Sequence, residues 1–133
     1  MNLSTAFSNA YTKINEISDP ISRGEKWIFS SFPDLNSDDF PSFPIIIIQP
    51  FSRNESPLTL KNDTKRCVYT TEILIYSKSA SQADSLADSV VSKVEEVSGF
   101  NTRLVQGVDS YDVNYGGEII HVRPVISRGV VYE

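Results

Sequence analysis

The sequence predicts an α+β domain: two helices packed on one face of a mainly antiparallel sheet of about four to five strands, with a long aromatic and proline-rich arm. Three observations carry this. Residues 67–76 are dominated by β-branched and aromatic types, with Tyr69, Thr71, Ile73 and Ile75 on one face and Val68, Thr70, Glu72, Leu74 and Tyr76 on the other. Directly after them, Ala83, Leu86, Ala87, Val90, Val94 and Val97 recur at helical spacing and make one apolar stripe. A second stripe, Leu3, Ala6, Phe7, Ala10, Tyr11, Ile14 and Ile17, opens the chain. Two one-sided helices need a sheet to cover, and the remaining segments must supply it.

In chain order, the first helix is expected over 3–18 and ends at Asp19-Pro20, because a residue before proline is pushed out of the helical region. Residues 20–44 form the arm. Lys26-Trp27-Ile28-Phe29 suits a short edge strand, and Phe32-Pro33, Phe40-Pro41 and Phe43-Pro44 follow it. The segment is too aromatic for a solvated linker. It either covers the core of its own domain or lies on a neighbouring subunit. Ile45 to Ile48 is a strand covered on both faces, expected to pair antiparallel with 67–76. Residues 51–66 are polar and read as a loop. Ser79 and Gln82 have the spacing of a capping box for the second helix, expected over 80–98, and Gly99 suits a left-handed residue after it. Thr102–Val108 is a strand, and Gly116-Gly117 marks a tight hairpin flanked by Val113, Tyr115, Ile119 and Val122. The last strand spans Glu118–Tyr132, with Pro124 expected at an edge or bulge and Gly129 at a second irregularity.

The 133 residues are read as one domain. The net charge of −5 argues against a module whose affinity comes from Lys and Arg neutralising phosphates. One cysteine, Cys67, allows no intrachain disulfide. No basic-then-apolar leader opens the chain, and no apolar run approaches the roughly 20 residues that span a bilayer. The two sequon matches, at Asn54 and Asn62, are read as polar loop residues.

No catalytic set is visible. His121 is the sole histidine and lies mid-strand, so any triad would have to run through it. Cys67 opens a strand with only Arg66 beside it and is read as a structural thiol. Metal ligation by His and Cys needs more of both. Asp109 with Asp112, and Asp34 with Asp38 and Asp39, are read as solvated acidic loops rather than oxygen-only sites. Gly116-Gly117 lacks the strand–loop–helix order of a phosphate loop. The expectation is therefore no enzyme, no cofactor, and no catalytic or metal residue.

Taken together, the opening amphipathic helix, the arm ending in Phe40-Pro-Ser-Phe-Pro-Ile-Ile-Ile-Ile, the strand running into Ile75-Tyr-Ser-Lys-Ser79, the helix after it and the closing Ile120-His-Val-Arg-Pro-Val-Ile126 form a recognisable order. It resembles the tail-terminator, or tail-completion, proteins of the neck of tailed bacterial and archaeal viruses, over nearly the whole chain. The resemblance implies a structural virion protein in a ring of six copies that caps the tail tube and joins it to the head-side connector or adaptor. It implies partners in the tube and connector proteins, DNA passing without specific binding, and no membrane. The protein would be made in the host cytoplasm and reside in the virion. A strongly negative hexamer suits a channel that must not grip phosphates. Ring and tube contacts are expected from the arm (20–44) and the loop (51–66), with Trp27, Phe29, Phe32, Phe40, Phe43, Phe51, Arg53, Lys61 and Lys65 as candidate interface residues. The alternatives are another neck protein, such as a head-completion or adaptor protein, and a non-viral ferredoxin-like module that binds a peptide or small ligand.

Overall fold

A computed structural model describes residues 1–34, 42–58 and 64–133. The chain runs α1 (Leu3–Ile14), β1 (Ile28–Phe29), β2 (Ile45–Ile48), β3 (Ser52–Pro57), β4 (Lys65–Ser77), α2 (Ala80–Glu95), β5 (Thr102–Gly107), β6 (Tyr111–Tyr115) and β7 (Glu118–Tyr132). The seven strands form one sheet in the order β1-β2-β4-β7-β5, with β3 also on β4 and β6 also on β7. This is an α+β fold with more strands than the four to five expected. β1 is parallel to β2; every other pairing is antiparallel.

The long β4–β7 pair is the axis, in register from Arg66↔Tyr132 to Ser77↔His121. On one face, Ile28, Ile46, Ile48, Ile73, Ile75 and Val125 meet Ile14 of α1 and Leu86, Val90 and Val94 of α2 in one buried cluster. Ala6 and Ala10 of α1 continue it over Phe51, Cys67 and Tyr69. The apolar stripes thus do what their spacing predicts: each helix buries one side against the same sheet face.

Both helices are shorter than expected. Asn2 Oδ1 accepts from the Thr5 N–H at 2.8 Å and caps α1. Its last residues tighten into three-residue turns, Glu16 N–H to Lys13 and Ile17 N–H to Ile14, so the stripe runs past the helix itself. At α2, Ser79 Oγ accepts from the Gln82 N–H at 3.3 Å, but Gln82 does not reach back to Ser79. The Ser79 N–H donates to Ser77 Oγ at 3.1 Å, and that hydroxyl donates to Gln82 Oε1 at 2.7 Å. The reciprocal arm of the capping box is relayed through a third side chain. At the other end, the Arg103 guanidinium donates to the Val94, Glu95 and Val97 carbonyls, satisfying acceptors the helix leaves open. Gly99 (φ 97°) lies three residues beyond the cap residue Glu96, where a Cβ would also meet Met1.

The polar segment 51–66, expected as a loop, contains β3. Three residues, Gln49–Phe51, stand opposite two, Thr71 and Glu72, between the pairs Ile48↔Ile73 and Ser52↔Thr70. This one-residue bulge lets a single edge of β4 carry two strands and shifts which residues face the helices, from even numbers in β2 to odd in β3. β6 forms the first arm of the hairpin expected at Gly116-Gly117. Gly116 (φ 58°) and Gly117 (φ 84°) join it to β7 as a two-residue turn with both φ positive, which fits the twist of the strands.

Pro124 lies inside the sheet, opposite Leu74, yet keeps the edge character expected of it. β5 pairs β7 from Val125 onward and β6 from Val122 back, so Pro124 falls in the gap between them. Its carbonyl accepts from Val108 on that side at 3.1 Å, so the missing N–H also faces the gap. Gly129 marks no irregularity: it pairs in register with both Tyr69 and Arg103. The ring of Phe100 lies where its Cβ would be, and glycine is what allows that approach.

Candidate functional site

Between α1 and β2, the described parts of 20–44 lie against the domain, and no projecting arm is seen among them. Asp19 and Arg23 anchor this segment. Arg23 Nε donates to Asp19 Oδ2 at 2.7 Å, while its Nη atoms donate to the carbonyls of Ser42 and of Pro44, the latter at 2.7 Å. One guanidinium therefore ties the exit of α1 to the start of β2. Burial alone would raise the Asp19 carboxyl, but the Arg23 hydrogen bond and the N–H groups of Ile21 and Arg23 outweigh it and hold it below its ordinary range.

The aromatic residues of the segment divide between the two sheet faces. Trp27 is buried in the helix-side core, under the Arg23 guanidinium. Phe29 and Phe43 are half-buried on the opposite face, against Ile45, Ile47, Leu74 and Val122. Phe32 is exposed and meets Tyr76 edge-on at 5.0 Å. Burial raises the Tyr76 hydroxyl, with Tyr111 and Glu72 adding to it. Phe40 and Lys61 lie outside the described residues.

At the β3 edge, Phe51 is buried under α1. Arg53 makes ion pairs with Glu55 at 2.9 Å and Glu133 at 3.2 Å and donates to the Tyr69 hydroxyl at 3.0 Å. Tyr69 in turn donates to the Met1 carbonyl at 2.8 Å. The Tyr69 hydrogen bond leads the effects that keep Arg53 firmly protonated. Glu133, which burial alone would raise, is held low by the Met1 ammonium at 3.3 Å and by Arg53. Lys65 pairs with Glu55 at 3.5 Å. This network ties the start of the chain to β3 and the end of β7, and its charges largely answer one another. Of the candidate interface residues, Trp27 and Phe51 belong to the core, while Phe32, Arg53 and Lys65 keep outward surface.

Two apolar features went unremarked in the sequence. A groove of about 400 Å³ lies beside α1, lined by Leu3, Ser4, Phe7, Ser8, Ser30, Pro50 and Phe51. At the far edge of the sheet, Leu104, Tyr111, Val113 and Ile119 stand exposed, Ile119 most of all at 56%. Leu3 belongs to the α1 stripe, and Val113 and Ile119 flank the double glycine, so each was visible as part of an element but not as surface.

The residues that could carry chemistry are dispersed. His121 Nδ1 meets Asp112 Oδ1 at 2.8 Å across β6–β7, and Cys67 is buried beneath Arg53. A cleft of about 610 Å³ between Ile17–Pro20 and α2 is lined mainly by serines and holds no titratable side chain. Among the described residues, no three His, Cys, Asp or Glu side chains gather as metal ligands, and no helix is long and apolar enough to cross a membrane.

No protein-family model matches this chain, and no curated protein matches it. A solved structure does: a chain of the "Virion of native gene transfer agent (GTA) particle", similar over 91% of this chain and 90% of that one, with a TM-score of 0.55 at 9% sequence identity. The likeness is one of fold. It spans both chains almost completely, so it concerns the whole arrangement of helices and sheet rather than a shared fragment.

Proposed function

We propose that this chain is a structural component of a virus-like particle, placed at the head–tail junction, where a ring of copies, six by the resemblance, caps the tail tube and meets the head-side connector. The observation that carries this reading is the end-to-end likeness in fold to a chain of a gene transfer agent virion. The neck position and the ring come from the resemblance of the sequence to tail-terminator proteins. Partners are then other copies of the chain, the tube protein and the connector, and the site of action is the virion.

The work proposed is assembly, without catalysis. In support, His121 pairs with the exposed Asp112 across β6–β7, Cys67 is buried, and among the described residues the serine-lined cleft holds no acid or base. The net charge of −5 per copy suits a passage that lets DNA slide. Electron microscopy of particles bearing a tagged copy tests the position: label at the junction between head and tail is expected, and label elsewhere or absent overturns it. Mass photometry of the purified protein tests the ring.

A further inference from the structure

The row of strands β3-β4-β7-β5 ends in two open edges, β3 on one side and β5 on the other. In β5 the Val108 N–H donates to the Pro124 carbonyl at 3.1 Å, in step with the β5–β7 register. The even residues of β5 therefore turn their backbone groups to β7, and Arg103, Val105 and Gly107 turn theirs outward. In β3 the Leu58 N–H donates to the Thr64 carbonyl at 3.0 Å, in step with the β3–β4 register. There Arg53, Glu55 and Pro57 face outward. β3 is blunted by Pro57 and by charged side chains, as exposed edges usually are. β5 has neither Lys nor Pro, and its Arg103 side chain is turned away to the carbonyls that end α2. An undefended edge of this kind is where another strand adds.

Direction, face and charge all make β3 of a second copy the strand that fits. Each strand of the row is antiparallel to the one beside it, so β5 and β3 run in opposite directions. Copies set side by side in one orientation would therefore join by an antiparallel pair. The outward residues are odd-numbered in both strands and lie on the helix side of the sheet in both: Arg53 and Glu55 stand beside Tyr69 and Cys67, and Val105 packs on the helix-side core. Pairing them keeps all the helices on one face. With the strands fully overlapped, Arg103 stands opposite Pro57, Val105 opposite Glu55 and Gly107 opposite Arg53. Leu104 then falls beside Ser56 and diagonal to Leu58, and these two leucines, 54% and 51% exposed, cover each other on the open face. The charge balance of the two edges is opposite as well. Residues 53–66 hold Arg53, Lys61, Lys65 and Arg66 against Glu55 and Asp63, while 104–120 hold Asp109, Asp112 and Glu118 with no Lys or Arg. Pairs within the chain answer much of this, but among the described residues the exposed Arg66 and Asp109 have no ion pair. β3 against β5 is thus favoured over either edge against itself.

We infer that β5 of one copy adds to the open edge of β3 in the next, so that the sheets of neighbouring copies run on into each other. This rests on the proposed ring, for which it names the contact. The contact is heterologous and runs in one direction, as a closed ring requires.

Paired cysteines test it. Leu104 and Ser56 would face each other without backbone hydrogen bonds, where Cα atoms stand about 4.5 Å apart and a disulfide can form. A double variant with Leu104→Cys and Ser56→Cys, oxidised at high protein concentration, is expected to give a ladder of covalent oligomers that stops at the ring size. Cys67 is buried and takes no part. Each single variant alone gives none, and an equal mixture of the two singles gives dimer only. Gly107→Pro removes an outward N–H and sets a ring against the incoming strand, and nothing beyond the adjacent residues lies within 4 Å of its new Cβ. It is expected to weaken self-association at least about tenfold while leaving the circular dichroism of the monomer unchanged. Gly107→Ala should leave association as it was. No ladder from the double variant, or crosslinking of Leu104→Cys alone, overturns the inference. Rings that form without this crosslink overturn the contact and leave the virion reading standing. A ladder from a chain that is absent from particles does the reverse.

Discussion

The two faces of the sheet are built on different terms. The helix face is closed along most of its length: Ile46, Ile48, Ile73, Ile75 and Val125 are almost wholly buried under α1 and α2. The opposite face is closed at one end only, where Phe29 and Phe43 lie over Ile45, Ile47, Leu74 and Val122. Toward β5 and β6 the same face leaves Leu104, Tyr111 and Val113 in the open. Folding has thus used one face and part of the other, and Leu104, Tyr111 and Val113 lie together at one edge. Exposed apolar residues scattered singly need no explanation; these three lie on neighbouring edge strands.

Substitutions on the closed face should therefore cost most. Ile73→Ala removes a fully buried side chain between two others and should lower stability by about 3 kcal/mol, read from urea unfolding with an unchanged slope. Phe43→Ala, half-buried on the opposite face, should cost less, about 2 kcal/mol. An equal or larger loss there would show that the second cluster is as much a core as the first.

Breaking the clamp across the segment between α1 and β2 comes next. Arg23→Ala removes the donor to the Ser42 and Pro44 carbonyls, leaves the Asp19 carboxylate only the Ile21 and Arg23 backbone N–H groups, and should cost about 1.5 kcal/mol. The pH dependence follows from the same pair. Asp19 titrates lower in the folded chain than its ordinary 3.8, so its contribution is fully present above that value and is lost as pH falls through the lower folded one. Asp19→Asn should lower stability at neutral pH and flatten the loss below about pH 3.8, measured as urea midpoints across that range. Smallest of all, Ile119→Asp should change monomer stability by under about 0.5 kcal/mol, because its side chain already faces solvent. A loss as large as that of Phe43→Ala would show that Ile119 is packed within the chain.

Much of this fold was legible because its periodicities are strong. The alternation through Tyr69, Ile73 and Ile75 and the stripes from Leu3 and from Ala83 name the face that α1 and α2 cover. What escaped was strand made from polar residues. Ser52–Pro57 is exposed throughout and is extended only because the bulge at Gln49–Phe51 returns it to β4. On the other side, the double glycine and its flanking Val113, Tyr115, Ile119 and Val122 announced the β6–β7 hairpin. Pro124 was expected at an edge or a bulge, and it lies where three residues, 108–110, face two, Arg123 and Pro124, between β5 and β6. The groove was out of reach for another reason. Leu3 and Phe7 meet Pro50 and Phe51 across more than 40 residues, and no local pattern announces such a surface.

The role we propose for this chain is that of a building block in a particle's neck. Electron microscopy of purified particles carrying a tagged copy, with label positions averaged along the head–tail axis, measures it most directly. The expected result is a single band of label at the junction, in several copies per particle. Particles without label, or label spread over the head or along the tail, would contradict it.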